Sequence, residues 1–86
     1  MKIWPAFTDQ GDLPPGLHTA SLEDIIQRFG AGNPQRLLVG RRLRHIHRLA
    51  ASTDAVGRFI IFGSFVTAKL HPNDVDIFMI MQDFLT

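Results

Sequence analysis

Asp74 and Asp76, with Val75 between them, are the residues of this chain best suited by type and spacing to do chemistry. Residues two apart in a strand share a face. The two carboxylates would therefore project together at the mouth of the apolar run 77–81, Ile-Phe-Met-Ile-Met. Like charges held that close either share a proton or recruit a cation. Oxygen-only ligands suit Mg²⁺, which takes one or two carboxylates and fills its shell with water and phosphate oxygens. Upstream, the apolar run 59–62 ends in Gly63-Ser64. Glycine lets the backbone come close to a ligand, serine adds a hydroxyl, and the amides around both can hold phosphates. Lys69 is the one cationic residue between the two motifs. It is a candidate for approaching a triphosphate, with a solvent-facing lysine as the plainer alternative. The set reads as a phosphoryl- or nucleotidyl-transfer site. Asp74 and Asp76 are its metal-holding catalytic acids, and Gly63, Ser64 and Lys69 its phosphate-binding residues.

An apolar strand ending in Gly-Ser, a connection, and Asp-x-Asp opening the next strand resembles the nucleotidyltransferase superfamily, the group sharing the polymerase-β palm. The matching residues are Gly63, Ser64, Asp74 and Asp76. The fuller wording from Gly63 to Asp76, with Phe65-Val66-Thr67, Lys69 and Pro72-Asn73, is closer still to a group of short bacterial proteins assigned to that superfamily. Leu13-Pro14-Pro15-Gly16-Leu17-His18 and Arg28-Phe29-Gly30 extend the likeness over nearly the whole chain. The resemblance implies Mg²⁺-dependent transfer of a nucleoside monophosphate from an NTP to an acceptor hydroxyl. It also implies a toxin–antitoxin setting, in which small nucleotidyltransferases act as antitoxins by modifying a partner toxin.

Superfamily members supply a third carboxylate from a later strand. Asp83 does not fill that place: in continuous strand it falls roughly 23 Å beyond Asp76 and on the opposite face. The expectation is a site with two of three acids and a third core strand missing. The exposed sheet edge would pair with another copy, with a partner protein or with a missing C-terminal part. The alternative is a catalytically inactive core that binds a partner or a nucleotide without turnover.

At 86 residues the chain makes a single domain, with a hydrophobic content of 45% that sustains a small core. A net charge of +1 gives no global polyanion signal. Cysteine is absent, which excludes disulfides and thiolate metal sites and fits a cytoplasmic protein. No apolar stretch approaches a membrane span, and the N-terminal run 3–7 is too short for a signal segment.

The elements that position the site follow from local pattern. Residues 1–20, rich in Pro and Gly, read as an extended arm anchored by Trp4 and Phe7. Residues 21–53 read as helical. Ser21 caps a helix over 22–29, with Glu23 and Asp24 in its first turn, and Gly30 and Gly32 stop it. Asn33-Pro34 starts a second helix over 35–51, with Leu38, Val39, Leu43, Ile46, Leu49 and Ala50 on its apolar face. Gly40 is a weak point costing ~1 kcal/mol relative to alanine.

Arg36, Arg41, Arg42, Arg44, Arg48 and Arg58 make this middle section basic. They read first as a solvated face and second as a surface for nucleotide or RNA phosphates. His45 and His47, ~200° apart on a helix, cannot share one ion, and with His18 and His71 they read as structural or surface residues. Residues 58–81 form strand, loop and strand. The first strand, 58–62, shows little alternation, the pattern of a strand covered on both faces, and one helical turn or a loop is expected over 66–70. The fold class is α+β, a nucleotidyltransferase-like core with two helices packed on a small sheet.

Overall fold

A computed structural model describes residues 2–82. The order of elements is helix α1 (Leu22–Phe29), helix α2 (Pro34–Ser52), strand β1 (Val56–Phe62), a 3-10 turn (Ser64–Val66) and strand β2 (Asp76–Met81). The strands pair antiparallel as a two-stranded sheet. This is the expected α+β arrangement of two helices and a small sheet. Asp83 lies outside the described residues.

Helix α1 begins where its sequence says it should. Ser21 is extended and its hydroxyl accepts from the Asp24 amide at 3.1 Å, while the Asp24 carboxylate accepts from the Ser21 amide at 3.3 Å. This reciprocal pair satisfies two of the orphan donors at the helix start. Glu23 holds Arg44 of α2 through a two-pronged ion pair. The hydrogen bond from Arg44, followed by its charge, keeps the Glu23 carboxyl below its ordinary range, and the bond to Ser21 does the same for Asp24. Both groups bind protons more weakly folded than unfolded. Their contribution is therefore complete above the unfolded carboxylate range and is lost as pH falls from there through the lower folded-state values. Thermal melts taken from about pH 5 to about pH 3 should show a shallower loss of stability in a Glu23→Gln/Asp24→Asn variant than in the parent chain. Equal slopes would remove these two groups as the source.

Helix α2 uses a stripe that hydropathy misplaces. Its buried members are Arg36, Val39, Gly40, Leu43 and Ala50, with His47 set edge-on against Phe59 of β1, ring centroids 5.0 Å apart. Leu38 and Leu49, expected on the apolar face, lie outside it and are exposed. The true stripe follows helical spacing but contains an arginine, a glycine and a histidine. Gly40 is there because α1 and α2 touch: a Cβ at Gly40 would stand 3.1 Å from the Gly30 Cα.

The core is a cluster of Phe29, Val39, Leu43, Phe65 and Val75. Trp4 stands edge-on to Phe29 at 5.2 Å, and Phe7 leans on the same ring, so both arm anchors are seated as expected. The arm carries no regular structure. It turns at Gly11, whose carbonyl accepts from the Ala68 amide at 2.8 Å.

Strand β1 starts two residues before the expected Arg58, with an irregularity in pairing between Val56 and Arg58. Its expected coverage on both faces does not hold. Phe59 and Ile61, opposite Met79 and Ile77, face the core, whereas Phe62, Phe78 and Ile80 stand 50%, 58% and 43% exposed on the other face. The apolar run reflects hydrophobic residues on a face that the described residues leave about half-exposed.

Candidate functional site

Strand β1 delivers the chain to Gly63 at φ +83° and ψ −166°, a region that side-chain-bearing residues avoid. The same glycine is crowded from outside. A Cβ built there would lie 2.1 Å from Asp76 Oδ2 and 3.0 Å from Asp76 Cγ. Phe62 pairs with Asp76 in the sheet, so register places the acid beside the corner, and the missing side chain lets its carboxylate sit against the backbone. Two requirements, one conformational and one steric, meet at Gly63.

The helical turn expected over 66–70 begins instead at Ser64, immediately after the corner. The Val66 amide donates to the Gly63 carbonyl and the Thr67 amide to the Ser64 carbonyl. The amides of Ser64 and Phe65 and the Ser64 hydroxyl have no hydrogen-bond partner among the described residues. Successive free amides at a turn suit an anion.

Asp74 and Asp76 are both exposed, and the buried Val75 between them is part of the core cluster. Val75 thus ties the triplet down while both acids stay at the surface. Asp74 Oδ1 accepts from the Val75 amide at 2.9 Å. Two carboxylates one residue apart would suit a hard divalent ion that keeps several waters, and the hydroxyl and amides at Ser64 and Phe65 suit phosphate oxygens. Among the described residues no third acid, histidine or cysteine joins them in a metal-binding group.

Beneath the corner lies a residue that pattern reading assigned to a solvated arginine stripe. Arg36 is only 8% exposed. Its guanidinium donates to the carbonyls of Phe29 (3.0 Å), Phe65 (2.8 Å), Thr67 (2.7 Å) and Lys69 (2.5 Å). With the carbonyls of residues 65, 67 and 69 drawn inward to one cation, the loop after the corner has a fixed course. Its neighbours in the first turn of α2 extend the hold. Asn33 Oδ1 caps the helix at the Arg36 amide while its Nδ2 donates to the Leu70 carbonyl at 2.8 Å. Gln35 Nε2 donates to the carbonyl of the buried Pro72 at 2.9 Å. The signal in the sequence was three polar residues with long or forked side chains at the start of a helix, just where its stripe turns inward.

The expected phosphate binders separate. Gly63 and Ser64 border an open groove of about 1060 Å³ that runs between β1 and arm residues 12–20. Lys69 lines a smaller cleft on the other side of the loop, with Arg28 and Arg36. The basic stripe divides as well: Arg36 is buried, Arg44 is engaged by Glu23, and Arg41, Arg42 and Arg48 are exposed.

A model of a family of unknown function, DUF6932, matches residues 5–85. No curated protein and no solved structure matches the chain.

Proposed function

The chain belongs to DUF6932, a family of unknown function, and from that footing we propose that it is a nucleotidyltransferase-type protein that binds an NTP with Mg²⁺ at the Gly63 corner. The observation that carries this reading is the Asp76 carboxylate seated against a glycine whose next two amides are free. An acid and an anion-binding turn in contact are what a metal-bound triphosphate needs from a protein. Asp74 and Asp76 would hold the ion, and Gly63, Ser64 and the Phe65 amide the phosphates. Bound there, Mg²⁺ supplies charge neutralisation for the phosphates. In the transfer itself, an acceptor hydroxyl oxygen bonds to the α-phosphorus, the bond from that phosphorus to the bridging oxygen breaks, and pyrophosphate leaves with the electron pair. The hydroxyl proton passes to a base.

The second reading is a core that binds nucleotide or a partner without turnover, favoured by the presence of two acids and no third in that group among the described residues. The half-exposed apolar face, and the edge of β2 that no strand among the described residues pairs with, are where a second copy or a partner protein would join. No helix among the described residues is long and apolar enough to cross a membrane, and a cytoplasmic setting, where NTPs and Mg²⁺ occur, goes with either reading.

Incubation with labelled ATP, CTP, GTP and UTP separates them. Mg²⁺-dependent binding should weaken at least about tenfold in Asp74→Asn/Asp76→Asn, the scale of losing charged contacts to a phosphate-bound ion. Label transferred to an acceptor identifies the enzyme, and binding alone identifies the module. Binding that ignores both the metal and the two acids would sink the enzymatic reading and the placement of the site at the corner.

A further inference from the structure

The smaller cleft carries its own chemistry. It holds about 320 Å³ between the end of α1, the start of α2 and loop residues 67–70. Arg28, Arg36 and Lys69 line it, and no acidic residue does. Arg28 is held in place: its guanidinium lies 4.8 Å from the Phe7 ring centroid and 5.7 Å from that of Phe29. It has no carboxylate partner among the described residues, where the one ion pair is that of Arg44 with Glu23. Asp24, one helical turn before Arg28, is committed to the Ser21 amide. Asn33 and Thr67 add polar side chains to the lining.

We propose that this cleft binds a phosphate group, as a free anion or as a phosphate monoester, on the guanidinium of Arg28 and the ammonium of Lys69. The buried Arg36 supplies a fixed background charge. Three cations around one concavity repel each other, and an anion seated between them removes the repulsion and accepts their unused donors. Burial, and after it the charge of Arg28, lower the proton affinity of Arg36. A short, open cleft of this size has room for a single phosphate, whereas a polymer needs an extended track of contacts. The site is independent of Asp74, Asp76 and metal.

Titration of the ¹⁵N-labelled chain with inorganic phosphate, pyrophosphate and AMP, at constant ionic strength and without Mg²⁺, tests the proposal. Saturable shifts are expected at the Arg28 side chain and at the amides of Gly32 and residues 68–70. Lys69→Gln alone, a surface change, should weaken binding several-fold, and Arg28→Gln/Lys69→Gln at least about tenfold. Asp76→Asn should leave it unchanged, which separates this site from the corner. Saturation by phosphate itself names the free anion, and saturation by AMP alone names the ester. Shifts that do not saturate, that survive in the correctly folded Lys69→Gln variant, or that vanish in Asp76→Asn overturn it. So does binding seen with an RNA oligonucleotide alone and abolished steeply by salt.

Discussion

Replacing Arg36 by methionine should cost about 3–5 kcal/mol of unfolding free energy. A domain of 86 residues holds about 4–13 kcal/mol in total, so the variant should lose a large share of its stability, and at the lower end of that range it should unfold at room temperature. The size follows from what is left behind. Methionine fills most of the volume, but the carbonyls of Phe29, Phe65, Thr67 and Lys69 lose their common donor. Each must either stay unsatisfied or reach water by opening the loop. Arg36→Lys keeps the charge and loses the fork, since an ammonium cannot span four acceptors arranged for a planar group. It should lose about 1–3 kcal/mol, less than methionine. Urea denaturation followed by far-UV circular dichroism measures all three proteins. A methionine variant with the parent midpoint would show that the four bonds contribute nothing net.

Gly63→Ala is expected to have the second largest effect, about 2–3 kcal/mol, together with loss of nucleotide binding. Part of the cost is conformational, because alanine does not tolerate φ +83° with ψ −166°. The rest is steric, because the new methyl occupies the place of the Asp76 carboxylate. These parts can be separated. In a background of Asp76→Ala the carboxylate is gone, so Gly63→Ala should cost less there than in the parent chain, with the conformational part remaining. A double-mutant cycle in urea gives the coupling directly. No coupling would mean that Asp76 does not lie against the corner.

Much of this architecture could be read from the sequence because it rests on local rules. Ser21, Asn33-Pro34 and the paired apolar runs act through their own neighbourhood, and both helices and both strands form within about two residues of their expected bounds. The Gly63–Asp76 contact was legible in part: motif spacing put the residues at facing strand ends, and the sheet register joined them. What could not be read depends on tertiary contacts between distant segments. Arg36 looked like its surface neighbours because an arginine that binds carbonyls leaves no acidic partner in the sequence to reveal it. Gly40 looked like a flaw because its reason, Gly30, belongs to another helix. Lys69 was grouped with Gly63 and Ser64 by proximity along the chain, but the loop between them turns, and lysine and corner border different hollows.

The clamp around Arg36 also differs from the Glu23 and Asp24 contacts in its response to acid. A guanidinium keeps its proton and a peptide carbonyl does not gain one, so nothing in that junction titrates. Protonation of Glu23 and Asp24 loosens the first turn of α1 and its tie to α2, while the anchorage of residues 65–69 on the start of α2 is untouched. The hold of α2 on the loop that carries the candidate site is therefore a junction that acid does not itself loosen.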